Sequence, residues 1–134
     1  MSSTDREAII RELFARLSAG EWTAAGELAA TDVTFELAYP PEFMEMPVRG
    51  RGALVDLYAS ILGPMFDGFT ISPDEILLGA DRDVAVVTYA SDATVRHNGK
   101  HYRNRYVGIF RFRDGEIIAW REYHNPEETA RALG

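Results

Sequence analysis

The residues best equipped for chemistry lie near the end of the chain, in "NRYVGIFRFRDGEIIAWREYHNP", residues 104–126. Two runs of aromatic and branched residues flank an Asp114-Gly115 turn, which reads as a β-hairpin. The second run ends in Glu122, Tyr123, His124 and Asn125. Side chains alternate across a strand. Ile118, Trp120, Glu122 and His124 therefore share one face, and Ala119, Arg121 and Tyr123 share the other. The face that carries Trp120 is expected to point inward and to take Glu122 and His124 with it. A carboxyl among Trp120, Tyr106 and Phe110 loses hydration, and its pKa rises toward neutrality, which suits proton transfer. His124 on the same face titrates near neutral pH and is a second candidate. For Glu122 the other reading is a carboxylate tied to an arginine or tyrosine across the sheet. For His124 it is a rim imidazole in water.

The preceding strand supplies the facing wall. Tyr102, Asn104, Tyr106, Gly108, Phe110 and Phe112 alternate with Arg103, Arg105, Val107, Ile109 and Arg111. The aromatic set is the concave face. Tyr106 is placed to donate a hydrogen bond to a ligand oxygen, and Asn104 to bind a ligand or a protein partner. Tyr89 and Ser91 share a face with Ala85, Val87, Ala93 and Val95, expected to be concave too. In "AYPPEFMEMPV", residues 38–48, Tyr39, Phe43 and Met44 are apolar on an irregular segment, which fits the mouth of a pocket or a packed loop.

The elements that must position these residues are readable. Residues 4–18 form a helix, with Thr4 and Glu7 as a capping box and Ile9, Ile10, Leu13, Phe14 and Leu17 at helical spacing. Residues 21–30 read as a second helix, 33–39 as a strand, 40–52 as a loop, and 53–62 as a third helix stopped by Gly63-Pro64. Four long strands follow, joined at Ala80-Asp81-Arg82, Asn98-Gly99 and Asp114-Gly115, and "PEETARAL" closes the chain as a short helix. Helices followed by an antiparallel meander argue one α+β domain over residues 1–134.

Composition bounds the partners. The formal net charge is −7, so nucleic acid and anionic membrane are poor partners. The absence of cysteine removes disulfides and thiolate chemistry and fits a cytoplasmic protein. No secretory leader is expected from "MSSTDREAII". His97 and His101 flank the Asn98-Gly99 turn, far from Glu122, so no metal site is expected. The outward Arg103, Arg105 and Arg111, interleaved with Val107 and Ile109, fit a dimer interface with cross-subunit carboxylate pairs.

Taken together, "AGEW" at 19–22, "ATDVTFE", "VRGRGALVDLYA" and the pattern Asn104-x-Tyr106, Asp114-Gly115-x-Ile117 and Arg121-Glu122-Tyr123-x-Asn125-Pro126 resemble the SnoaL-like group. That group, with the phenazine-biosynthesis PhzA/PhzB-like proteins, belongs to the nuclear transport factor 2-like, or ketosteroid isomerase-like, superfamily. The resemblance implies a conical barrel: N-terminal helices packed on a strongly curved, mostly antiparallel sheet around one apolar pocket. It also implies a homodimer through the outer sheet face. A fold of this kind hosts many activities. The ketosteroid isomerase triad is absent: its base falls on Leu37, its tyrosine on Leu13 and its protonated aspartate on Gly108. An inward Asp-x-Arg pair of the epoxide hydrolase type is absent too.

The expectation is a small-molecule enzyme acting on an apolar, cyclic or aromatic metabolite by cofactor-free acid/base chemistry: isomerisation, cyclisation, condensation or dehydration. Glu122 is its proton carrier, and Tyr106 and His124 orient the ligand. Trp120, Phe110, Tyr89, Leu37 and Leu13 are its walls. The alternatives are a non-catalytic binder of a hydrophobic molecule and a dimeric module with a vestigial pocket.

Overall fold

The computed structural model describes residues 3–81 and 83–134, with the side chains of Ser3 and Thr4 outside that description. The Thr4–Glu7 capping box and Arg82 of the 80–82 connection thus lie outside the described residues. Helix α1 (Ser3–Ser18) buries Ile10, Leu13, Phe14 and Leu17, the stripe its spacing predicts. It ends before Gly20, whose φ of +73° suits a residue without a Cβ. The Ser18 hydroxyl then donates to the Ile71 carbonyl and accepts from the Ile71 N–H, at 3.0 and 2.9 Å. This fastens α1 across the inner face of the sheet.

Helix α2 (Trp22–Gly26) is shorter than expected, and strand β1 (Ala29–Leu37) starts four residues early. Tertiary pairing overrides helix propensity here. Leu28 accepts a hydrogen bond from Ile117, and Arg51 donates twice to the Ala29 carbonyl. Within the expected loop, β2 (Val48–Arg49) pairs with β1. Helix α3 (Arg51–Leu57) runs through a π-helical turn (Tyr58–Leu62) into a final turn, α4 (Gly63–Met65), past the expected stop at Gly63-Pro64. The widened turn comes just before Pro64, which has no N–H to donate to an ordinary helical bond.

Strands β3 (Phe66–Leu78), β4 (Val84–Val95), β5 (His101–Arg113) and β6 (Glu116–His124) complete a six-stranded sheet in the order β2-β1-β6-β5-β4-β3. Among the described strands only the β1–β6 pair is parallel. Pro73 sits in β3 because β3 is an edge strand, and the register shifts just after it. Asp114 and Gly115 both have positive φ, 51° and 81°, as a type I′ hairpin turn requires. Helix α5 (Pro126–Leu133) folds back under capping by the Asn125 side chain, which accepts from the Glu127 N–H. The result is α+β, with helices packed on a curved, mostly antiparallel sheet. No helix among the described residues is long and apolar enough to cross a membrane.

Strand parity decides what reaches the interior. Along β5 each of Tyr102, Asn104, Tyr106, Gly108, Phe110 and Phe112 is buried. In β6 a bulge corrects the sequence reading. Phe112 pairs with Ile117 and Arg111 with Ala119, so Ile118 is the extra residue, and Ile117 takes its place in the core. Beyond the bulge, Trp120, Glu122 and His124 face inward as expected.

Candidate functional site

The concave side of the sheet encloses an apolar cavity of about 140 Å³. Trp120, Glu122 and His124 of β6 form one wall, and Tyr102 and Tyr106 of β5 the next. Leu57, Tyr58 and Ile61 come from α3 and its π-turn, Thr129 and Leu133 from α5, and Pro41, Phe43 and Met44 from the loop after β1.

Glu122 lies opposite Gly108 of β5 and Leu37 of β1. It is 9% exposed. The Tyr89 hydroxyl crosses the sheet and donates to Glu122 Oε1 at 2.6 Å, and Trp120 Nε1 donates to the Tyr89 oxygen at 3.1 Å. Oε2 takes no hydrogen bond from the described residues. Burial outweighs the Tyr89 bond and pushes the carboxyl up to about 7. Tyr89 is driven well above its ordinary range by burial and by the Glu122 charge, so it stays a donor. Glu122 thus meets a tyrosine across the sheet with one oxygen and has the other free for the cavity.

Gly108 makes this array possible. A Cβ there would stand 2.8 Å from Tyr89 Cε1, 2.9 Å from Phe110 Cε1 and 3.0 Å from Trp120 Nε1. Any side chain at 108 would push apart the residues that hold Glu122.

His124 lines the cavity half-buried, opposite Tyr106. Burial lowers its pKa, and Nδ1 is sealed from water without a partner among the described residues. At neutral pH the ring is therefore uncharged and makes no ion pair with Glu122. The Tyr106 hydroxyl lies 2.5 Å from Ser91 Oγ and 3.1 Å from the Tyr102 hydroxyl. Burial raises its pKa above the ordinary phenol range.

Six expected site residues fall elsewhere. Leu13 and Phe110 are in the packed core, not on the cavity wall. Helix α1 packs there, with Phe14 4.7 Å from the Tyr89 ring and 6.3 Å from Phe110. Tyr89 is sealed behind the wall and supports it through Glu122, Trp120 and the stacked ring of Tyr106. Ser91 lies behind Tyr106. Tyr39 is 56% exposed and packs on the outward Tyr123, because the chain turns after Ala38 bonds to the Glu122 carbonyl.

Asn104 is a structural clasp. Its Oδ1 accepts from the Asn125 N–H at 3.0 Å, and its Nδ2 donates to the Asn125 carbonyl at 3.0 Å and the Tyr102 hydroxyl at 2.9 Å. It therefore sets where α5, with Thr129 and Leu133, closes the cavity. Asn104→Ala is expected to cost about 2 kcal/mol of stability, since it strands buried backbone groups. Faster hydrogen exchange in α5 than in β5 checks this.

Sequence reasoning missed Tyr58, Thr129 and the row Leu57, Ile61 and Met65. The signal that could have found them is the apolar recurrence at 54, 57, 58, 61 and 65, which runs past the expected helix stop at Gly63-Pro64.

The comparisons with known proteins agree with this architecture. Residues 10–120 match the model of the SnoaL-like domain. The chain belongs to the SnoaL-like domain family. YesE of Bacillus subtilis, an uncharacterized protein, is 27% identical over 113 residues, 84% of this chain and 74% of YesE. A crystal structure from Bacillus subtilis superposes with a TM-score of 0.87 at 25% identity, over 98% of this chain and 94% of that one. SalBIII is an epoxide hydrolase/cyclase-like enzyme with a role in pyran ring formation in the polyether salinomycin. It gives 0.79 at 22% identity, over 95% of each chain. RV0760c of Mycobacterium tuberculosis, in complex with estradiol-17beta-hemisuccinate, gives 0.81 at 16%, over 92% and 96%. The SnoaL-like domain here therefore has the nuclear transport factor 2-like fold.

Proposed function

We propose that this SnoaL-like protein is an enzyme acting on an apolar, cyclic or aromatic metabolite, with Glu122 as the group that takes up and returns a proton. One observation carries the reading. Glu122 is buried at an apolar cavity, one oxygen is held by Tyr89, the other is unpaired among the described residues, and burial pushes the carboxyl up to about 7. A carboxyl so poised exchanges protons in both directions at physiological pH. Trp120, Leu37, Phe43 and Met44 hold the carbon skeleton. Tyr106 and His124 orient it. Isomerisation, cyclisation, condensation and dehydration all need such a proton carrier. Solved relatives by fold include a cyclase-like enzyme and a steroid-derivative complex, which suits this class.

The test uses 5-nitrobenzisoxazole, an apolar carbon acid. A base takes the C3 proton, the N–O bond breaks, and a coloured cyanophenolate leaves. Turnover is expected to rise with pH about a midpoint near 7 and to fall about a hundredfold or more in Glu122→Gln. A protein that only carries an apolar ligand would bind the probe and not turn it over. Equal rates in both proteins would contradict the enzyme reading.

We also infer a homodimer through the outer sheet face, in the cytoplasm. Leu77 and Val107 are 51% and 40% exposed. Arg105 and Arg111 have no ion-pair partner among the described residues, whereas Arg103 pairs with Asp92 and Arg121 with Glu36 inside the chain. Val107→Asp is expected to convert a dimer to a monomer in sedimentation equilibrium. A wild-type monomer at high protein concentration would overturn this.

A further inference from the structure

Tyr58 opens the π-helical turn between α3 and α4 and is 4% exposed. Its ring is near Trp22, with centroids 6.4 Å apart, and it lines the cavity. A buried tyrosine hydroxyl normally has a partner. Tyr89, Tyr102 and Tyr106 all have one. The Tyr58 hydroxyl has none among the described residues, and it is not among the polar atoms sealed from solvent. It therefore opens onto the cavity. Tyr58 and Glu122 line the same cavity, and burial, with the Glu122 charge second, raises the Tyr58 pKa, so the group stays protonated. A π-helical turn inserted in an α-helix is a recurrent feature of functional sites.

We propose that the Tyr58 hydroxyl is a ligand-binding hydrogen-bond donor, and that the ligand presents a carbonyl oxygen to it while its skeleton lies on the apolar walls. This rests on the reading of the cavity as a ligand site. A donor that cannot ionise suits an uncharged oxygen acceptor. Glu122 Oε2, the second unpaired oxygen atom here, is then left for a proton on a carbon next to that carbonyl. When Glu122 takes that proton, the C–H electron pair shifts toward the carbonyl oxygen, where the Tyr58 O–H meets the growing charge. Return of the proton to carbon reverses the charge shift, so no other reactant is consumed.

The experiment compares 2-acetylnaphthalene with 2-isopropenylnaphthalene, which has a CH₂ in place of the carbonyl oxygen. Binding is read by calorimetry, and the carbonyl stretch of the bound ketone by infrared difference spectroscopy. Wild type is expected to bind the ketone roughly tenfold tighter than the hydrocarbon, with the carbonyl stretch lowered from its value in alkane. Tyr58→Phe keeps the ring near Trp22. It is expected to bind both equally and to return the stretch to the alkane value. If Tyr58→Phe keeps both the preference and the lowered stretch, the assignment is overturned. If wild type binds both probes equally with an unshifted carbonyl, Tyr58 is not a donor and the cavity reading stands. If wild type binds neither, the cavity reading fails and takes this assignment with it. Even if the variant does not fold, equal binding with an unshifted carbonyl in wild type overturns the assignment.

Discussion

Glu122→Gln is expected to make the protein more stable at pH 8 and no more stable at pH 4.5. In the folded state burial raises the carboxyl from 4.5 to about 7. The unfolded chain ionises first, so folding takes up a proton between these values. The contribution is fully present below 4.5, is lost as pH rises, and levels off above 7. A difference of about 2.5 pH units corresponds to about 3 kcal/mol. Glutamine can accept from Tyr89 as the carboxylate does, so the variant keeps the local geometry and loses the titration. Tyr58, Tyr89, Tyr106 and His124 face Glu122 or its cavity. The tyrosines stay protonated and His124 stays neutral, so none offsets the charge at pH 8. Carboxylates held low by arginines, such as Glu128, titrate in both proteins and cancel in the difference. Urea unfolding of both proteins at the two pH values measures the effect. A pH-independent difference would contradict it.

Gly108→Ala is expected to cost about 3 kcal/mol, although it adds a single methyl group. The new Cβ meets Tyr89, Phe110 and Trp120 at 3.0 Å or less. These are ring atoms of fully or nearly fully buried residues, held between α1 and the sheet, so they have little room to yield. Displacing Tyr89 would also weaken its bond to Glu122. That bond lowers the Glu122 pKa, so its loss is expected to move the carboxyl further above 7. Denaturant unfolding gives the stability loss, and the pH midpoint of benzisoxazole turnover gives the shift. An unchanged midpoint and wild-type stability would show that the Tyr89–Trp120–Glu122 array does not depend on the glycine.

Much of this was legible in the sequence because strands carry a rigid period of two. Parity along 102–112 placed Tyr102, Tyr106, Phe110 and Phe112 inside, and parity from Trp120 onward placed Glu122 and His124 inside. The bulge at Ile118 was not legible, since an extra residue leaves no local mark when both candidates are isoleucine. Burial was also legible where exposure to the cavity was not. Leu13 and Phe110 are as buried as expected, yet Phe14 fills the space in front of Phe110. Tyr58 stayed hidden for the opposite reason. A helical tyrosine looks like any core residue until the hydroxyls of Tyr89, Tyr102 and Tyr106 are seen to have partners and its own is not.

The most direct test is a carbon-13 NMR titration of the Glu122 side-chain carboxyl, assigned by its absence in Glu122→Gln. A midpoint at about 7 is expected, the value that burial imposes against the Tyr89 hydrogen bond. A midpoint at 4.5 or below would mean that the carboxyl is hydrated or charge-paired in solution, and it could not then serve as the proton carrier of this cavity.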